Sequence, residues 1–333
     1  MKIVVATSIY PPEIGGPAYY AASLKESLEK QGHTVDVALY GALKKFPSGI
    51  RQALYTARLL ARSRRADAII AFDTFATGLP AALVHMLTGV PAVVRIGGDF
   101  VWELYIERTR DLLPLPEMYR HRERWSAKEK LAYSVTRFVL RRTHVVFSSA
   151  WQLEIWRSAY GLDPKRAHVI ENAIEPRLEP AAPTRKNFIF YTRQIALKNA
   201  EAFNRAFAKA QEKYPDIELD EGMVPHAELL KRMRACYAVV LPSISDITPN
   251  YIIDAIRCGK PFLLTKYSGY AERFGQYGVI IDPLEEADMA RGVERLADPT
   301  EYEKLRARIA TFNELHTYDD IAREFVAAIQ EHI

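Results

Sequence analysis

Met1-Lys2-Ile3-Val4-Val5-Ala6-Thr7-Ser8-Ile9-Tyr10-Pro11-Pro12-Glu13-Ile14-Gly15-Gly16-Pro17 is the stretch from which the fold is read. Residues 3–6 form a short apolar run with no cleavage pattern after it, so they read as a buried strand and not as an export signal. Residues 10–17 make a loop, and a segment of helical period follows at 18–31. Two glycines let a backbone approach a ligand closely, Pro17 suits the first helical position, and the amides of a helix start favour an anion. Gly15 and Gly16 are therefore candidate phosphate contacts. The loop has neither the G-x-G-x-x-G of a dinucleotide site nor a Walker lysine, and a turn that only joins strand to helix fits it equally well.

The same strand-then-helix unit recurs along the chain. Apolar runs at 3–6, 35–39, 68–72, 92–95, 144–147 and 168–170 alternate with helical segments at 18–31, 50–64, 79–87, 127–142 and 152–160. A second series has strands at 188–191, 217–219, 238–241, 262–264 and 278–281. Its helices fall at 200–213, 227–235, 251–257, 288–297, 301–312 and 319–329. Such alternation predicts parallel α/β sheets covered by helices. Between the series, Glu175-Pro176-Arg177-Leu178-Glu179-Pro180-Ala181-Ala182-Pro183 holds three prolines that suit neither a helix nor a central strand. Two domains are expected, 1–175 and 176–333, with the C-terminal helix a candidate to cross back to the first. One large doubly wound domain with a Pro-rich loop is the alternative, disfavoured because single cores rarely exceed about 250–300 residues.

Composition excludes several classes. Of 333 residues, 49% are apolar and 26% charged, which argues against disorder or a low-complexity scaffold. Cys236 and Cys258 are the only cysteines, too few for a disulfide framework or a four-cysteine zinc site, and they fit a reduced, cytoplasmic chain. The uncharged stretch 74–94 has the length of a membrane span, but Pro80, Gly89 and Pro91 interrupt it. Charge is uneven: residues 1–180 carry 25 Lys and Arg against 18 Asp and Glu, while the remainder carries 20 against 23.

The second half holds the most specific text. In Tyr191-Thr192-Arg193-Gln194-Ile195-Ala196-Leu197-Lys198-Asn199, two cations five positions apart sit in a strand-to-helix loop, where both can converge on one diphosphate. Farther on, Ser243-Ile244-Ser245-Asp246-Ile247-Thr248-Pro249-Asn250-Tyr251-Ile252-Ile253-Asp254 places one acid in a loop and a second on the helix that the loop opens. Ala255-Ile256-Arg257-Cys258-Gly259-Lys260-Pro261 follows directly, and then Thr265-Lys266-Tyr267-Ser268-Gly269-Tyr270-Ala271-Glu272. Upstream stand Gly32-His33-Thr34-Val35 and Val169-Ile170-Glu171-Asn172-Ala173.

In this order, with the Tyr-Pro-Pro and Gly15-Gly16 loop, these motifs resemble the retaining glycosyltransferases of the GT-B fold, specifically glycosyltransferase family four. The resemblance runs from residue 3 to about 284. It implies two Rossmann-like domains facing a cleft, the first for the acceptor and the second for a nucleotide-diphosphate sugar of UDP or GDP type. It implies that Arg193 and Lys198 neutralise the diphosphate, that Asp246 reaches the transferred hexosyl unit, and that Asp254 reaches the ribose. Thr248, Pro249 and Asn250 would hold sugar and phosphate oxygens through backbone, Val224 the base, and Glu272 a minor place near the diphosphate. No cofactor and no metal are implied, because cations and helix dipoles carry the leaving-group charge. Two departures stand out: both acids are Asp where the family has Glu, and a β/α unit is missing between 219 and 225, which shortens the second domain.

On the acceptor side, Arg95-Ile96-Gly97-Gly98-Asp99 closes the fourth strand at its carboxyl end, where open sheets bind ligands. Asp99 suits either an acceptor contact or the cap of a helix starting at Phe100, and Trp102 either sugar stacking or burial. Seven cations from Lys44 to Arg65, and ten against four acids from Arg108 to Arg142, suit a lipid-linked hydroxyl acceptor or an anionic inner-membrane surface. Solvated helix faces are the alternative, and no nucleic-acid partner is expected. Two competing functions are a catalytically weak nucleotide-sugar binding protein of the same fold, and a nicotinamide oxidoreductase, which the missing fingerprint disfavours.

Overall fold

The structure, a computed structural model, describes residues 1–13, 15–43 and 45–331. Ile14 of the first loop and Lys44 of the first basic run lie outside the described residues. The strands are β1 (Lys2–Thr7), β2 (Thr34–Leu39), β3 (Ala68–Phe72), β4 (Ala92–Ile96), β5 (His144–Phe147), β6 (Ala167–Val169), β7 (Lys186–Tyr191), β8 (Ile217–Gly222), β9 (Ala238–Leu241), β10 (Phe262–Thr265) and β11 (Val279–Ile281). The helices are α1 (Gly16–Lys30), α2 (Ser48–Ser63), α3 (Gly78–Thr88), α4 (Phe100–Thr109), α5 (Leu115–Met118), α6 (Ala127–Leu140), α7 (Ala150–Tyr160), α8 (Ala200–Lys213), α9 (His226–Ala235), α10 (Asn250–Arg257), α11 (Ala271–Phe274), α12 (Glu286–Ala297), α13 (Pro299–Ala310) and α14 (Tyr318–Gln330). Every strand expected from the apolar runs is present. The four-residue helices α5 and α11 are too short to show a period and were not expected.

The chain divides into two compact units. One comprises Met1–Val101, Trp125–Ala173 and the chain from His316 onward; the other comprises Trp102–Arg124 and Ile174–Leu315. The cut falls at 173/174 instead of 175/176, and two further segments depart from a single division. The C-terminal helix belongs with the first unit: Ile321, Phe325 and Ile329 of α14 are buried in one cluster with Tyr20, Leu24 and Leu28 of α1. Residues 102–124 belong with the second unit, although they precede it in sequence by some fifty residues.

The first unit has a six-stranded parallel sheet in the order β2-β1-β3-β4-β5-β6, and the second a five-stranded one in the order β11-β10-β9-β7-β8. β3 is buried at every position, as a strand covered on both faces must be. In the second sheet the period of two sorts side chains into two cores. Phe188, Phe190, Val240 and Leu263 enter one with helices α8 and α12, while Ile189, Val239, Leu241 and Leu264 enter the other with α9 and α10. β8 runs into α9 through residues 223–225 alone.

Strand order reverses between β1 and β3 in the first sheet and between β7 and β9 in the second. Ligands of open parallel sheets bind at such switch points, beyond the strands' carboxyl ends. β7 and β9 pair only at Phe188↔Ala238 and Ile189↔Val239, whereas β7 and β8 pair over six positions. The strands thus separate toward the switch point. There the Tyr251 hydroxyl accepts from the Tyr191 amide at 3.1 Å and donates to the Ile189 carbonyl at 3.0 Å, replacing the missing ladder.

Candidate functional site

The loops after β7 and β9 line the switch point of the second unit, and they carry Arg193, Lys198 and Asp246. The first loop ends in a single turn, Ala196–Lys198, and Asn199 then takes a left-handed conformation (φ 58°), which Asn tolerates better than most residues. Its buried side-chain amide donates to the Pro283 carbonyl at 2.8 Å, and the Ile244 amide donates to the Leu197 carbonyl at 2.9 Å. The second bond holds the two loops together across the gap, and the first ties the β7 loop to the segment after β11.

Lys198 Nζ consequently lies 2.6 Å from Asp246 Oδ2 and 3.3 Å from Ser243 Oγ, with side chains 18% and 17% exposed for the Lys–Asp pair. A short charge-assisted bond of this kind fixes both groups. Arg193 stands exposed five residues earlier, and among the described residues its guanidinium makes no hydrogen bond or ion pair. One cation is anchored and the other is uncommitted.

Asp246 is also held by the following loop, its amide donating to the Tyr267 carbonyl at 3.0 Å. Beyond Thr248 and Pro249, both buried, Asn250 starts α10, whose positive end opens toward this loop. One turn on, Asp254 is buried. Arg257 Nη1 lies 2.9 Å from its Oδ1, the i,i+3 spacing of a helix, and His226 Nε2 lies 2.8 Å from its Oδ2. The Asp254 hydrogen bond raises the His226 pKa above the ordinary imidazole value; burial opposes it more weakly. His226 is the first residue of α9 and directly follows Val224 and Pro225. Glu272 is exposed in the first turn of α11.

In the first unit, Gly15 precedes α1 and its carbonyl accepts from the Ala18 and Tyr19 amides; a side chain at Gly16 would meet open space. Asp99 is 1% exposed and accepts from the Trp156 indole at 2.8 Å, so it serves the packing between β4 and α7. Trp102, which belongs to the second unit, is buried as well, its indole donating to the Leu113 carbonyl at 2.8 Å, which removes it as an exposed sugar platform. The structure therefore unites Lys198, Asp246 and the α10 start, has Arg193 five residues earlier in the same loop as Lys198, and leaves Gly15, Gly16 and Asp99 in the other unit. His226, Arg257 and Asn199 were not anticipated. The Asp-x-x-Arg spacing was the one available signal for Arg257.

Two family models match the chain in tandem. Glycosyltransferase Family 4 covers residues 14–178, and Glycosyl transferases group 1 covers residues 165–298. The chain is a family-four glycosyltransferase. Solved structures agree on the fold of this glycosyltransferase. Sucrose-phosphate synthase from Thermosynechococcus elongatus matches with a TM-score of 0.73 at 13% identity over 99% of both chains. The Anabaena protein HepE in complex with UDP and glucose matches with a TM-score of 0.62 at 16% identity, over 99% of this chain and 98% of that one. An Escherichia coli trehalose-6-phosphate protein bound with UDP-2-fluoro glucose gives 0.70 at 11% identity over the whole of both chains. No curated protein matches in a direct sequence search. The sequence-based GT-B reading is thereby established, and both matched domains are of the glycosyltransferase type.

Proposed function

We propose that this glycosyltransferase moves a hexosyl unit from a nucleotide-diphosphate sugar to a hydroxyl acceptor with retention of configuration. The observation that carries the reading is the Lys198–Asp246 pair at the switch point, with the exposed Arg193 in the same loop as Lys198. Lys198 has three N–H donors and its two neighbours engage two of them, which leaves one for a phosphate oxygen. Arg193 adds a planar fork to the same diphosphate. As the sugar–oxygen bond breaks, these cations and the α10 amino terminus stabilise the charge left on the nucleotide, so no metal is required for that step. The acceptor hydroxyl attacks from the face the nucleotide leaves, and a donor phosphate oxygen takes its proton. Asp246 is oriented toward the sugar, and Asp254 with His226 toward the ribose.

A UDP sugar is the first donor to test, because several structurally similar proteins have UDP or a UDP sugar bound. In calorimetric titrations with UDP, GDP, ADP and dTDP sugars, one class is expected to bind with a micromolar Kd; no binding by any of them would refute the donor assignment. A second reading, binding without turnover, is favoured by the Asp254 carboxylate, already engaged by both Arg257 and His226. An assay that detects donor hydrolysis as well as transfer separates the two.

The acceptor is proposed to be lipid-linked, at the cytoplasmic face of an anionic membrane. On α2, Ile50, Ala53, Leu54, Ala57 and Ala61 are all exposed and follow the helical period, so an apolar stripe points outward. Ile50 and Leu54 are 54% and 41% accessible, and Arg58, Arg64 and Arg65 flank the stripe. Among the described residues no helix is long and apolar enough to cross a membrane. Flotation with phosphatidylserine vesicles should retain the protein at low salt and release it at about 0.5 M salt, where screening is strong. No retention at low salt would end the membrane proposal.

A further inference from the structure

We infer that the segment Trp102–Arg124 is a working part of the donor site and acts through Ser245, a positioning residue; this rests on the donor reading above. The segment is ordered by its own contacts. Trp102 Nε1 donates to the Leu113 carbonyl at 2.8 Å, the Tyr105 hydroxyl donates to Asp111 Oδ2 at 2.7 Å, and Arg124 Nη1 reaches the same oxygen at 3.1 Å. Arg108 Nη2 closes the loop on the Arg124 carbonyl at 3.1 Å. Leu115 and Met118 are fully buried.

The segment reaches the loop after β9 through the Leu115 amide, which donates to Ser245 Oγ at 3.0 Å in a buried setting. Pro114 and Pro116 flank it and carry no N–H, so Leu115 supplies the sole backbone donor of that tripeptide. A buried amide needs its acceptor. Ser245 stands between Ser243, which contacts Lys198, and Asp246, which pairs with it. From the other side the loop is held by the Asp246 amide on the Tyr267 carbonyl and the Gly269 amide on the Ile247 carbonyl, at 3.0 and 3.1 Å. The acid aimed at the sugar is therefore clamped between residues 267–269 and a segment from the first half of the chain. Removing the Ser245 hydroxyl releases one side of the clamp while Arg193, Lys198 and the helix start remain.

The test uses the full chain with Ser245→Ala and Ser245→Thr, which keeps the hydroxyl. Without ligand, hydrogen–deuterium exchange should rise about tenfold for Ser245→Ala in peptides covering both 113–120 and 243–248, and return toward wild type in Ser245→Thr. With ligand, the affinity for UDP should stay within about twofold, while the extra affinity of UDP-glucose over UDP falls about tenfold. A rise confined to 243–248, equal losses for UDP and UDP-glucose, or no change in either readout would overturn the inference. A wild-type chain that binds neither ligand would defeat the donor reading, and the exchange result would still decide the coupling on its own.

Discussion

Replacing both Arg193 and Lys198 by alanine should lower donor turnover, transfer and hydrolysis together, by at least about 10⁴-fold. A preorganised group aimed at developing charge is typically worth about 10²–10³ in rate, and here two cations address one diphosphate. Lys198→Ala has a second effect. It leaves the Asp246 carboxylate, 17% exposed, without its cation and next to the incoming phosphates, so attraction becomes repulsion. Lys198→Ala should therefore cost more than Arg193→Ala, and the double variant less than the product of the two, because the cations share a target. Arg193 is exposed and makes no side-chain bond among the described residues, so Arg193→Ala should melt with the wild type. Full turnover by the double variant would remove the mechanism proposed for this enzyme.

Asp254→Ala should destabilise the second unit by about 3 kcal/mol, because removing one partner of a buried ion pair strands the other. Arg257 and Asp254 have side chains only 14% and 7% exposed. Thermal unfolding reads the loss, and Asp254→Asn, which keeps a hydrogen-bond acceptor, should recover part of it. His226 adds a pH signature. Its folded pKa is raised by Asp254, so the bond's contribution is fully present below the ordinary histidine value of about 6.5 and is lost as pH rises through the raised one. Wild-type stability should thus decline from pH 6 toward pH 8 more than that of His226→Gln. Parallel pH profiles for the two proteins would show that the His226–Asp254 bond does not form in solution.

Parts of this protein are legible in its sequence alone. Runs such as Ala68–Phe72 announce strands because a parallel strand covered on both faces has to be apolar throughout. The loop positions of Lys198 and Asp246 were legible, each after an apolar run, while the pairing of those strands at the switch point came from the structure. His226, Asn199 and Ser245 were not. Their partners Asp254, Pro283 and Leu115 lie 28, 84 and 130 positions away, distances at which no local period reports contact. Asp99 was placed at the right strand end, yet burial against Trp156 turned it inward.

The strands, the helices and their grouping into two series follow from short-range pattern, since apolar period acts over a few residues. Which segments belong to which unit was settled only by packing. α14, the candidate to cross back, buries its apolar face on α1, whereas Trp102–Arg124, which belongs to the second unit and buries Leu115 and Met118, had no such signal. Burial of apolar surface is non-directional and indifferent to sequence distance. Local sequence therefore determined the elements of this glycosyltransferase, and tertiary packing decided their neighbours, including the Leu115 amide that meets Ser245.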